Sequence, residues 1–220
     1  MRRIIAFGCS NTYGQALPDC HLMQDGNSIG LSKPSEHAWP SVFANLMRKP
    51  CLNLSQPGSS NRQILYEILN YDDYTPKDCV AILWSFVMRD CIISQDSVTQ
   101  LHIREWSGQS PENKPWREYK VKTLDEHDEL LRNLHYIDYA DLFLKQRVGY
   151  VMHYVTEDVF LEHREHYVGA HILRNGKKLM SQYPRGLDNA HPGIEGHRAL
   201  AEIAVEDFNI LRKRKIKNEH

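Results

Sequence analysis

The chain has 220 residues, of which 41% are hydrophobic and 25% charged, enough for the core of one compact domain and short for two of ordinary size. A formal net charge of −1 and a pI near 6.9 give no global electrostatic reason to bind nucleic acid or an anionic membrane. Five cysteines (Cys9, Cys20, Cys51, Cys79, Cys91) form no CxxC pair and are odd in number, which argues against a zinc ribbon or a complete disulfide framework and for a reducing compartment.

At the N-terminus, Met1-Arg2-Arg3 is followed by only four apolar residues, Ile4 to Phe7, before Gly8, too few for the h-region of a signal peptide. No stretch reaches the roughly 18 apolar residues of a membrane span. A soluble, cytoplasmic protein is expected. Ile4 to Phe7 itself reads as a strand buried on both faces in a parallel sheet. Pro40 suits the first turn of a helix whose apolar positions are Phe43, Leu46 and Met47. Cys51 to Leu54 reads as a second strand. Ser60 and Gln63 make a capping-box pattern ahead of Ile64, Leu65, Ile68 and Leu69, which share one helical face.

Cys79 to Trp84 is the strongest apolar run and reads as a third strand, with Tyr150 to Val155 as a fourth. Between them Leu130, Leu131, Leu134 and Ile137 mark a helix. The last helix carries Leu200, Ala204, Phe208 and Leu211 and is expected to stop in the basic run 212–215, which complements its dipole. Two segments, 88–122 and 156–187, show no sustained period and are expected to be insertions over one end of the sheet. Strands alternating with helices predict one domain over 1–220: an α/β fold with a mostly parallel central sheet and ligands at the strand carboxyl ends.

Two segments carry chemistry. Phe7-Gly8-Cys9-Ser10-Asn11-Thr12-Tyr13-Gly14 places Ser10 just past the first strand, where backbone amides can stabilise developing negative charge; the plain alternative is a glycine-rich turn with a capping serine. Asp188-Asn189-Ala190-His191-Pro192-Gly193 supplies a base and a carboxylate three residues before it, on the turn that opens the last helix; the plain alternative is an Asp cap beside a surface histidine.

Together these segments resemble the SGNH/GDSL hydrolases, in order and in position. FGCSNTYG looks like the nucleophile block, with Cys9 where the family has Asp. Asn53-Leu54-Ser55-Gln56-Pro57-Gly58-Ser59-Ser60-Asn61 looks like the second block, and Asp188-Asn189-Ala190-His191-Pro192 like the last. The resemblance implies a three-layer α/β/α sandwich of flavodoxin-like type. It also implies an esterase with Ser10 as nucleophile, His191 as base and Asp188 as its partner. The oxyanion would be held by the amides of Ser10 and Gly58. One block departs: the Gly-x-Asn-Asp that should follow the third strand is replaced by Trp84-Ser85-Phe86-Val87-Met88-Arg89-Asp90. Its asparagine would supply the third donor, and losing one such donor costs about 10²–10³ in turnover, so either Ser85 or Asn61 substitutes, Ser85 being the one expected, or activity is weak.

The resemblance implies no cofactor, and a small-molecule or O-acetylated carbohydrate ester as substrate. The competing class of function is an inactive binding or structural module on the same fold. A nucleotide-binding turn at Gly8 to Gly14 is disfavoured by the lack of both GxGxxG and GxxxxGK[ST]. Cys9 is expected to be a packed residue rather than a reactive thiolate. His163, His166 and His171 match no zinc spacing. Trp106 and Trp116 could stack on sugars or simply anchor a loop.

Overall fold

In the computed structural model, which describes residues 1–24, 27–30, 33–94, 97–102, 118, 122, 125–163 and 171–218, strands and helices alternate along the chain. The elements are β1 (Ile4–Gly8), α1 (Ser10–Tyr13), β2 (His21–Gln24), β3 (Asn27–Gly30), α2 (Trp39–Leu46), β4 (Cys51–Asn53), α3 (Asn61–Asn70) and β5 (Cys79–Leu83). They continue with β6 (Arg89–Ile93), β7 (Val98–His102), α4 (Glu126–Lys145), β8 (Tyr150–Val155), α5 (Val159–Glu162), β9 (Ile172–Asn175), α6 (Gly176–Met180) and α7 (Ile194–Asn218).

Five strands form one sheet in the order β4-β1-β5-β8-β9, every pair parallel. β1 and β5 are buried along their whole length, as their unbroken apolar sequence requires. Alternate residues face opposite layers. Ile5, Phe7, Val80, Ile82 and Trp84 pack with Ile64 and Ile68 of α3 and Leu130, Leu134 and Ile137 of α4. Ile4, Cys79, Ala81 and Leu83 pack on the other face with Trp39 and Phe43 of α2 and Leu200, Ala204 and Phe208 of α7. The result is the three-layer α/β/α sandwich. Each large side chain so buried contributes about 1.5–3 kcal/mol relative to exposure.

Local signals act as their chemistry dictates. Ser60 caps α3 by accepting from Gln63 N–H at 3.2 Å, and Asp125 caps α4 by accepting from His127 and Asp128 N–H. Pro40 lies in the first turn of α2. Three expectations are corrected. Leu46 is 49% exposed, because the buried face of α2 runs through Trp39, Phe43 and Ala44 instead. α7 runs through the basic segment to Asn218, since its Lys and Arg side chains project into solvent and leave the backbone free to stay helical. Within 156–187 lies β9, a strand of the main sheet, not just a surface excursion. It is an edge strand with one open side, so it tolerates Arg174, whose guanidinium pairs with Asp207 of α7 at 2.5 and 3.0 Å.

Separate from the main sheet, β2 and β3 form one antiparallel hairpin and β6 and β7 another. The second falls within 88–122. Trp106, Trp116 and His166 lie outside the described residues. No helix among the described residues is long and apolar enough to cross a membrane.

Candidate active site

The chain reverses its direction of travel across the sheet after β1: β4 is laid on one side and β5 on the other. Such a switch point opens a crevice at the strand carboxyl ends. β1 delivers Ser10 there as the first residue of α1. The turn is tight, and Gly8 is required by close approach: a Cβ on it would lie 2.2 Å from Thr12 Oγ1 and 3.0 Å from the Leu83 carbonyl. Cys9, at the cap of α1, is fully buried, and its carbonyl accepts from Thr12 and Tyr13 N–H.

The second block closes on the same end. Gln56 N–H donates to the Gly8 carbonyl at 3.2 Å, pinning the segment after β4 to the end of β1. Ser59 N–H then donates to Gln56 O, closing a turn with Pro57 and Gly58 at its centre; Gly58 has φ +81°, the left-handed value that a type II turn needs at this position. Asn53 ties the block to α1 by donating to the Thr12 carbonyl at 2.8 Å.

His191 arrives from the other end of the chain on a loop locked by backbone bonds. Gly186 N–H donates to His191 O, Gly193 N–H to Pro184 O, and Leu187 N–H to Ala16 O in the segment after α1. Asn189 takes φ +56°, which asparagine tolerates better than most residues. The geometry at the centre is continuous: Ser10 Oγ lies 3.0 Å from His191 Nε2, and His191 Nδ1 lies 2.6 Å from Asp188 Oδ2. A carboxylate can only accept, so the ring proton sits on Nδ1 and Nε2 is left to accept from the serine. Asp188 Oδ1 also accepts from Ala190 and His191 N–H, both at 2.9 Å. Partial burial works against its charge, but those bonds win and hold the Asp188 carboxyl below its ordinary range.

Behind the loop His197, fully buried, accepts from Trp39 N–H through Nδ1 at 3.1 Å. Burial, with the nearby His191 ring, pushes its pKa down to about 3, so it is a neutral support.

The two residues expected to replace the missing asparagine fare differently. Asn61 is buried with its amide committed: Nδ2 donates to Ser85 O and Asn133 Oδ1, and Oδ1 accepts from Ser85 N–H. It clamps the chain after β5 and has no hydrogen left for a substrate. Ser85 Oγ accepts from Arg89 Nη1 at 3.3 Å, which leaves its own hydroxyl hydrogen to be donated elsewhere. Sequence reasoning missed Asn133, the far end of this clamp, and His197; neither stands in a motif, and only tertiary packing brings them here. A cleft of about 420 Å³ lies beside the histidine loop, walled by Ala16, Leu17 and Pro18 on one side and Pro184, Leu187 and Ile194 on the other. Among the described residues no cluster of His, Cys, Asp and Glu could hold a metal ion; His163 packs edge-on to His127 and His171 is exposed.

This architecture is the SGNH, or G-D-S-L, hydrolase fold. A lipolytic protein of the G-D-S-L family from Veillonella parvula superposes with a TM-score of 0.52 at 14% identity, over 95% of this chain and 99% of that one. An acetyl xylan esterase from the rumen bacterium Butyrivibrio proteoclasticus gives 0.58 at 14% identity, over 97% of this chain and 64% of that one. A carbohydrate esterase family 2 enzyme with a carbohydrate-binding domain, from Corynascus thermopiles (Myceliophthora fergusii), gives 0.55 at 13% identity, over 94% and 65%. The chain thus spans just under two thirds of the length of those two esterases. No family model and no curated protein matches the sequence.

Proposed function

We propose that this protein is a serine hydrolase that cleaves carboxylic esters through an acyl-enzyme on Ser10. The observation that carries the reading is the unbroken chain Ser10 Oγ, His191, Asp188 at 3.0 and 2.6 Å, at the carboxyl end of β1. His191 Nε2 takes the Ser10 proton as Oγ attacks the ester carbonyl, and Asp188 fixes the tautomer and stabilises the imidazolium. The amides of Ser10 and Gly58 and the Ser85 hydroxyl receive the oxyanion. The alcohol leaves with the proton from His191, and a water activated by the same ring releases the acid.

Small acyl esters or O-acetylated carbohydrate are the proposed substrates. The activities of two proteins of the same fold, an acetyl xylan esterase and a carbohydrate esterase, favour an acetylated sugar. A second reading, an inactive binding module, draws on one observation: the Asn61 amide is committed to Ser85 and Asn133 and does not serve as third donor. The deciding experiment is fluorophosphonate labelling together with hydrolysis of p-nitrophenyl acetate. Labelling and turnover should both vanish in Ser10→Ala. Labelling that persists in that variant removes Ser10 from the reaction, and no turnover of acetyl to octanoyl esters by the wild type favours the binding module.

A further inference from the structure

Phe86, three residues past β5, carries two cations on its ring. The Arg89 guanidinium carbon lies 4.6 Å from the ring centroid and Lys177 Nζ 4.0 Å. Both belong to the crevice end of the sheet. Arg89 Nη1 donates to Ser85 Oγ at 3.3 Å. Lys177 follows Gly176, which packs so closely on the last residue of β5 that a Cβ there would meet Leu83 Cδ1 at 3.2 Å. Leu83 is in register with Gly8, two residues before Ser10. A third cation, Arg185, comes from the histidine loop, where it donates to Ala190 O.

The neighbours of these cations are neutralised: Lys178 pairs with Asp158 and Arg174 with Asp207. Arg89, Lys177 and Arg185 have no carboxylate within ion-pair distance among the described residues. Glu157, whose charge acts on Lys177, spends Oε2 on Val87 N–H at 2.7 Å. Burial and then the like charge of Arg89 depress the Lys177 pKa, with Arg185 adding to the repulsion and Cys9 and Glu157 opposing it. Half-buried like charges set against one another cost stability unless an anion joins them.

We propose that Arg89 and Lys177, laid over Phe86, form an anion subsite beside Ser10, and that the ester cleaved carries a negatively charged group close to its scissile bond. The proposal names a substrate class for the serine-hydrolase reading and rests on it. The ring holds the two side chains in place by cation–π contact, and their N–H groups stay available to a carboxylate.

The test separates binding from chemistry. Calorimetric titration of Ser10→Ala protein compares two matched pairs: mono-p-nitrophenyl succinate with p-nitrophenyl valerate, and p-acetoxybenzoate with p-acetoxybenzamide. The first pair places the charge on the acyl side and the second on the alcohol side. At least one anion should bind about tenfold tighter than its neutral partner, as one charge-assisted contact gives. Added Arg89→Gln or Lys177→Gln should abolish that ratio, and Lys177→Arg should keep it. Equal affinities in both pairs, or a ratio that survives both Gln variants, overturns the subsite. Parallel assays on the wild type keep the two readings apart. Hydrolysis of the neutral esters without anion preference sinks the subsite alone. Preferential binding without any hydrolysis supports the subsite and counts against the hydrolase.

Discussion

Asn61 grips Ser85 by both backbone groups, its Oδ1 accepting from Ser85 N–H at 2.6 Å and its Nδ2 donating to Ser85 O at 3.1 Å. The remaining amide hydrogen reaches Asn133 Oδ1 at 2.6 Å. Asn61→Ala strands three buried polar groups at about 1–3 kcal/mol each, so it should cost at least about 3 kcal/mol. Urea unfolding reads the loss as a lower midpoint. An unchanged midpoint with lowered turnover would instead make Asn61 an oxyanion donor.

Ser85→Ala isolates the donor that remains. It removes one hydroxyl whose oxygen accepts from Arg89. Turnover of p-nitrophenyl acetate should fall by about 10²-fold with little change in KM, the signature of an interaction made only in the transition state. Unaltered kcat would exclude the Ser85 hydroxyl from the reaction.

Asp188→Asn keeps an oxygen for the N–H groups of Ala190 and His191 but offers the ring an amide in place of a carboxylate. The tautomer with its proton on Nδ1 loses its support, and kcat at neutral pH should drop by about 10⁴. Because the wild-type Asp188 pKa is held low, its contribution to stability is present above the unfolded carboxylate pKa. It is lost only as pH falls through the lower folded value. Asp188 should therefore stay ionised through the acid limb of activity and not set it. A limb that moves with Asp188 in the ordinary carboxylate range would contradict this.

His197 sets a stability window of its own. Its pKa falls from 6.5 in the unfolded chain to about 3 when buried, so the unfolded state binds the extra proton between those values. Stability should decline as pH drops below 6.5, by about 1.4 kcal/mol per unit from this group alone. His197→Asn, which can still accept from Trp39 N–H, should flatten that slope in urea melts run from pH 7 to pH 4. An identical slope in the variant would assign the acid sensitivity elsewhere.

The sequence was most legible where burial is complete. β1 and β5 read directly because strands covered on both faces are apolar without interruption, and β8 read despite His153, whose ring is buried against Trp84 Nε1 and Asp141. β9 did not, because an edge strand needs few apolar residues and its Arg174 is paired with Asp207, 33 positions away. Ser10, Asp188 and His191, which lie together in the structure, were marked out by short turn motifs taken jointly with their resemblance to the hydrolase blocks. Arg89 and Lys177 were not, since what unites them is the Phe86 ring and a shared sheet end rather than any spacing. For Asn61 the sequence showed an amide near the right place but not its direction, which the buried partners Ser85 and Asn133 decide.

Ser10 and His191 are separated by 181 positions, and the loop bearing His191 is docked against the segment after α1 through the bond from Leu187 N–H to Ala16 O. The hydrogen bond between them therefore cannot exist in a nascent chain until the polypeptide has been made through His191 and that loop has docked on Ala16. Under the proposed mechanism, a growing polypeptide exposes its serine long before it owns a base, and it stays chemically silent until the His191 loop is in place.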